Sequence, residues 1–176
     1  VNDSSDKIDI GSFLLGITFA LEFEVGPTFG LMQSYEYSFG KRLFPTRMVR
    51  SSLALGPGEV GAPVVDLNGR LSSLKRCFEN VIQNGLVYGK NVYVELQKGN
   101  NRAIINIDDD GPGISEDQHR NVFKPFFRLD KSRNLNKAGV GLGLAIVEDI
   151  VNAHGGNIQL NKSKYNGLQV KISLPF

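Results

Sequence analysis

Three groups of residues stand out for the chemistry that their types and spacing allow. Asn80 and Asn84 lie four positions apart in a stretch of helical periodicity, so they share one side of a helix. At about 100° per residue, Asn84 sits at the border of the apolar stripe and Asn80 further toward solvent. Neutral amide carbonyls suit a magnesium ion that keeps most of its waters and takes its other ligands from phosphates; taken alone, the pair reads first as polar surface residues. The second group is Asp108-Asp109-Asp110-Gly111-Pro112-Gly113-Ile114, at the end of a strand. Its glycines let backbone approach a flat ligand closely. A carboxylate there accepts a hydrogen bond from an exocyclic amine, which adenine has and guanine lacks at that position, although an acidic strand-ending turn has the same composition. The third group, Gly139-Val140-Gly141-Leu142-Gly143-Leu144, opens a helix. Glycines there expose amide N–H groups and the positive end of the helix dipole, a ready phosphate site. A dinucleotide-binding reading fails, because a polar run precedes these glycines where that motif needs a strand.

The elements that must carry these groups are legible from residue 71 onward. Leu74, Cys77, Phe78, Val81, Ile82 and Gly85 follow the three-four spacing of an amphipathic helix over 72–86. Val92, Val94 and Leu96 alternate, as do Ile105 and Ile107 beyond the Gly99-Asn100-Asn101 turn, which predicts a hairpin. Ser115 with Gln118 has the form of a capping box for a short helix ending before Pro125. Residues 130–137 are polar except for Leu135 and read as a lid ending in closely spaced glycines. A helix is expected over 143–153, stopped by Gly155-Gly156. Ile158 and Leu160 form a strand, and Leu168, Val170, Ile172 and Leu174 form another across an Asn166-Gly167 turn. This order predicts an α/β (α+β) two-layer sandwich, a mixed sheet with helices on one face and a lid.

Residues 1–63 read poorly and are taken as a lead-in, either part of the same domain or an unrelated fusion; 64–176 form the readable domain. Residues 8–24 are compatible with a helix followed by a strand, and 56–63 with a Gly/Pro-rich loop. Val64, Val65 and Leu67 predict a short strand that ends at an Asn68-Gly69 turn. The chain has 176 residues with a formal charge of +2 and no basic block, so nothing in its composition points to nucleic acid. Cys77 is the single cysteine, which excludes an internal disulfide and a multi-cysteine zinc site and favours a reducing compartment. The longest apolar run, 13–21, is far short of the roughly 18–20 residues that cross a bilayer, and it makes a poor signal peptide. The expectation is a cytoplasmic molecule without membrane contact of its own, the anchor of any membrane-bound parent lying outside this chain.

The groups also occur in a particular order: Asn80/Asn84, then Asp109-x-Gly111-x-Gly113, then Phe123 with Phe126-Phe127-Arg128, then Gly139 to Gly143. That set resembles the N, G1, F and G2 boxes of the catalytic ATP-binding domain of sensor histidine kinases, within the gyrase, heat-shock chaperone, histidine kinase and mismatch-repair ATPase superfamily. The resemblance covers about 64–176. Asn84-Gly85-Leu86-Val87-Tyr88-Gly89 stands where the osmosensor-type kinases have an Asn-Ala-x-basic-Tyr-Gly run. The resemblance implies ATP and Mg2+ as cofactors. It also implies a nucleotide-binding set of Asn80, Asn84, Tyr88, Asp109, Gly111, Gly113, Arg128, Lys137, Gly139, Gly141, Gly143 and Leu144, with Asn84 as the metal ligand. Within it Asp109 would hold the adenine amine, with Gly113 packed on the ring and Tyr88 flanking adenine and sugar. Asn80 would support the phosphates, Arg128 reach them from the lid, and the amides of Gly141 and Gly143 receive them; Lys137 is a candidate phosphate contact. Phe123, Phe126 and Phe127 would pack the base of the lid. No catalytic residue is assigned.

The implied activity is donation of the ATP γ-phosphoryl group to a histidine on a separate dimerisation and phosphoacceptor domain, and through it signalling to a response regulator. Two departures bear on this. Val87 stands where the family has Lys or Arg, and neither His119 nor His154 lies in the family's phosphoacceptor box. Both histidines read as structural. The alternatives are a regulatory nucleotide-binding module without phosphotransfer and a serine kinase of the anti-sigma type, which the Phe-rich segment disfavours. A gyrase-like ATPase would place a glutamate where Asn80 stands.

Overall fold

The computed structural model describes residues 65–129 and 140–176, with 6–10, 14, 34–38 and 48–53. Its elements are β1 (Asp6–Asp9), β2 (Ser34–Ser38), β3 (Met48–Leu53), β4 (Asp66–Gly69), α1 (Leu71–Tyr88), β5 (Asn91–Lys98), β6 (Arg102–Asp109), a 3-10 turn (Glu116–Gln118), α2 (Gly143–Ala153), β7 (Asn157–Lys162) and β8 (Leu168–Pro175). Six strands form one sheet in the order β2-β3-β5-β6-β8-β7. β3 and β5 run parallel and every other neighbouring pair antiparallel, so the sheet is mixed. α1 and α2 pack on each other and against the sheet, giving the expected two-layer sandwich.

The core follows from the periodicities. α1 buries Leu74, Cys77, Phe78, Val81, Ile82, Gly85 and Leu86, the residues of its three-four stripe. They meet Val92, Val94 and Leu96 of β5, Ile105 and Ile107 of β6, and Val170, Ile172 and Leu174 of β8; β5 and β8 alternate with more exposed residues, while β6, in the middle of the sheet, is buried on both faces from Ile105 to Asp109. The Cys77 side chain is fully buried, and burial pushes its thiol up to about 12.

Several local expectations need correction. Residues 68 and 69 are not a turn: Asn68 and Gly69 belong to β4, where they pair with Lys7 and Asp6 of β1. An Asn-Gly signal makes a hairpin only when strands flank it on both sides, and here α1 begins two residues later. β1 also places Ile8 in a strand where a helix was expected, and Ile8, Ile10 and Leu14 all join the core. β2 and β3 had no clear sequence signal. The remainder of 8–24 and the loop 56–63 lie outside the described residues. The capping box does not form: Ser115 makes no side-chain cap bond, and the segment is a 3-10 turn followed by hydrogen-bonded turns as far as Lys124. The Asn166-Gly167 turn is longer than a two-residue hairpin. Ser163 N–H donates to Gly167 C=O (2.9 Å), Asn166 N–H donates to Ser163 C=O (3.1 Å), and Asn166 takes φ 75°. This is a three-residue loop whose left-handed residue is Asn166.

The two helices are tied together at one end by His154. Its Nδ1 donates to Ile150 C=O (2.7 Å), so Nε2 is left to accept from the Arg70 N–H (3.1 Å) at the start of α1, which has no side-chain cap. Gly69 makes room for the ring, since a Cβ there would stand 2.9 Å from His154 Cδ2. His154→Ala should therefore destabilise the fold by about 1–3 kcal/mol, the scale of an unpaired helix-terminal donor. A urea midpoint unchanged from wild type would show that the clamp carries no stability.

Candidate functional site

The site residues fall into two clusters that α1 joins. The first surrounds Asp109, the last residue of β6, whose side chain is 8% exposed. Its Oδ1 accepts from the N–H groups of Gly111 (2.8 Å) and Leu168 (3.0 Å), while Oδ2 takes neither bond. Burial raises the carboxyl pKa, the two backbone N–H groups oppose the shift, and Asp110 and Asp108 add to it. Gly113 takes φ +70° and packs against the backbone of Gly167. A Cβ on Gly111 would come within 3.1 Å of the Tyr88 backbone, so the loop lies directly on the end of α1. Tyr88 is 54% exposed and forms the rim. Gly85 lies where α1 approaches the sheet closely: a Cβ there would stand 2.7 Å from Val92 Cγ2 and 3.4 Å from Asp109 Cβ.

The second cluster lies beside the start of α2. Asn80 donates its Nδ2 to Arg76 C=O (2.9 Å), which leaves its Oδ1 for another partner. A Cβ on Gly143 would stand 3.6 Å from that Oδ1, and 3.3 and 3.7 Å from Asn84 Nδ2 and Oδ1. Both amides thus face the first residue of α2 at close range. α2 has no side-chain cap, and its first intrahelical bond comes from the Ile146 N–H, so the amides of its first turn have no acceptor within the helix. Leu144 packs partly buried against the core. Gly141 takes φ +77°, and a Cβ there would stand 2.7 Å from Phe127 C=O. Beside it, Arg128 Nε is buried with no hydrogen-bond partner among the described residues.

Phe123 and Phe127 pack against the core, and Phe126 is 72% exposed; the lid whose base the three are expected to pack lies outside the described residues. The Phe126 N–H is held by Gly141 C=O (2.9 Å) at φ 63°, which turns the side chain outward. Lys137, Gly139 and the rest of 130–139 lie outside the described residues.

Sequence reasoning missed two supports of the first cluster. Gly167 faces Asp109 so closely that a Cβ would overlap both Oδ1 and the backbone oxygen of Asp109, and stand 2.6 Å from Gly111 N. Asp110 accepts from Lys90 N–H (2.6 Å), Asn91 N–H (2.8 Å) and Asn91 Nδ2 (2.6 Å), pinning the segment after Tyr88. Burial would raise its carboxyl pKa, but these bonds outweigh it and the net shift is downward. Neither role shows without the strand registers, β6–β8 bringing 166–168 beside Asp109 and β5–β6 bringing Lys90 and Asn91 beside Asp110.

Residues 69–176 match the family described as histidine kinase-, DNA gyrase B- and HSP90-like ATPase. The chain belongs to that family. It is 36% identical over 116 residues to the sensor histidine kinase GtrS of Pseudomonas aeruginosa, an alignment covering 66% of this chain and 24% of that protein. The chain thus spans about a quarter of the length of the curated relatives it matches. The histidine kinase domain of the E. coli osmosensor EnvZ superposes with a TM-score of 0.62 at 29% identity, covering 98% of this chain and 89% of that one. The ATP-binding domain of PrrB from Mycobacterium tuberculosis shares the fold, with a TM-score of 0.68 at 22% identity and coverage of 99% and 98%. This is an ATP-binding domain of the kind found in sensor histidine kinases. Among the described residues no cluster of three or more His, Cys, Asp or Glu offers an all-protein metal site, and no helix is long and apolar enough to cross a membrane.

Asp109→Asn separates binding from folding. Asn keeps an oxygen for Gly111 and Leu168 but puts a donor where Oδ2 stands. Since the folded carboxyl pKa is raised, Asp109 contributes stability below its unfolded pKa and loses it as pH rises through the folded value. At pH 7 the ionised group costs stability, so the variant should melt no lower than wild type. Its ATP affinity should fall about tenfold to hundredfold. A lowered Tm with intact affinity would make Asp109 a structural residue. Gly167→Ala should weaken ATP on the same scale by displacing the carboxylate.

Proposed function

We propose that this domain binds Mg-ATP and supplies its γ-phosphoryl group to a histidine on a separate phosphoacceptor domain, as the catalytic part of a cytoplasmic two-component signalling kinase. The observation that carries the reading is the pairing of two unlike polar groups along the C-terminal half of one helix. Asp109 offers a buried acceptor beside Gly85, and Asn80, Asn84 and the open amides of α2 offer a polar cradle on the side that faces α2. ATP supplies the transferable phosphoryl group. The residues bind and orient. Asp109 Oδ2 accepts from the adenine amine, Gly111 and Gly113 let the backbone close on the ring, and Tyr88 borders adenine and sugar. Asn84 holds magnesium through its amide oxygen, and Asn80 steadies the phosphates. The amides of Gly141 and Gly143 receive phosphate, with Arg128 neutralising charge. The amide donor set fits magnesium because that ion draws its remaining ligands from water and phosphate. The chemistry is positioning and charge neutralisation, with no covalent step on the protein.

The acceptor must come from elsewhere. The chain has two histidines. His119 Nε2 donates to Ile114 C=O (3.0 Å), and both ring nitrogens of His154 are bonded to backbone. Each is fixed to the same body as the nucleotide site, so neither swings into line with the phosphate. The partners are a phosphoacceptor histidine hairpin and, through it, a response regulator.

Two measurements test this. ATP should bind far better with magnesium than without it, and GTP should compete poorly; equal competition by GTP would remove the adenine assignment. With γ-labelled ATP, acid-labile label should appear on an added phosphoacceptor hairpin from a related kinase and not on this chain. Label on this chain alone, lost in His119→Ala or His154→Ala, would overturn the reading.

A further inference from the structure

β7 (Asn157–Lys162) ends the six-stranded sheet, bonded to β8 on one side, and among the described residues no strand covers its other side. A groove of about 730 Å³ runs along it. The groove touches Gln159, Leu160 and Asn161 at once. Successive side chains of a strand point to opposite faces, so a groove that reaches three in a row lies against the strand's edge, where a further strand would sit. Phe123 also lines the groove, with Arg120, Lys124 and Glu148.

The hairpin register identifies the backbone groups that face this groove. Ser163 N–H bonds Gly167 C=O, which closes the β7–β8 ladder, and bonded and non-bonded pairs alternate along an antiparallel ladder. Asn161 opposite Gln169 and Gln159 opposite Lys171 are therefore bonded pairs. Ile158, Leu160 and Lys162 direct their N–H and C=O groups outward. Natural sheet edges are blunted by charge, proline or bulges, and this one carries only Lys162 at its end.

We propose that this edge is a docking site for an extended, acidic segment of a partner protein, which adds to the sheet as a seventh strand. Backbone bonds to Ile158, Leu160 and Lys162 hold it, an apolar side chain meets Phe123, and acidic side chains face the exposed Arg120 and Lys124. Charge chooses the occupant. A second copy of β7 would bring Asn-Ile-Gln-Leu-Asn-Lys, which has no acid and ends in another cation, so self-pairing sets like charges together. The proposal is independent of nucleotide binding, because the groove includes none of the nucleotide-site residues.

The test uses the full 176-residue chain, ¹⁵N-labelled, and two blocked hexapeptides, one alternating aspartate with valine and one alternating lysine with valine. The acidic peptide should bind and slow amide exchange at Ile158, Leu160 and Lys162, and leave Gln159 and Asn161 as they were. Arg120→Glu with Lys124→Glu should weaken it about tenfold with Tm and ATP affinity unchanged. Lys162→Pro, which removes an outward donor and no bond to β8, should weaken it as well. Equal binding of the lysine peptide, shifts confined to another surface, or no binding at millimolar peptide would each overturn the proposal. So would a concentration-dependent dimer in sedimentation that protects the same amides, since the occupant would then be a second copy.

Discussion

A carboxylate aimed at a ligand has to be held where water cannot compete for it, and that environment disfavours the ionised group. Asp109 meets both demands by dividing its oxygens. Oδ1 is tied to the N–H groups of Gly111 and Leu168, which offset part of the burial penalty without using Oδ2. The two donors come from segments 57 residues apart, one on the loop after β6 and one at the start of β8. Their convergence depends on the β6–β8 ladder, in which Asp108 faces Gln169. Gly111 and Gly167 follow from the same requirement, since both backbones crowd the Asp109 side chain, and Gly113 packs in turn on Gly167.

The second cluster inherits its position from the first through α1. Gly85 presses against Val92 and Asp109 Cβ, and its neighbour Asn84 then faces Gly143 at the start of α2. His154 ties the far ends of the same two helices, so the pair is braced at both ends. Asn80 Oδ1, which makes no bond to Arg76, lies beside the first residue of α2 and its open first-turn amides.

The sequence is legible where a pattern is local. The stripe of α1 and the alternation of β5, β6 and β8 name nearly the whole core, because periodicity directly records which face is buried. The glycine and asparagine motifs mark the site for the same reason: each packs its chemistry into a few consecutive residues. What fails is whatever depends on a distant partner. β3 was unreadable because its strand character comes from lying beside β5, and Asn68-Gly69 was misread because its partner is β1. Gly167 looked like an ordinary turn residue, although its lack of a side chain serves Asp109. Ser115 and Gln118 show the converse, a local signal overridden when Gln118 bonds Asp117 and Asn121 instead.

Cys77 gives the molecule an internal clock. Its thiol sits in the middle of α1, fully buried, with the pKa pushed to about 12, so its reactive thiolate is scarce in the closed state at neutral pH. A disulfide reagent added to the native chain modifies this single thiol only when the helix lifts from the sheet. The rate of labelling therefore counts openings of the same helix that carries Asn80 and Asn84. A ligand held by both clusters along that helix slows the clock, without any probe having been built into the protein.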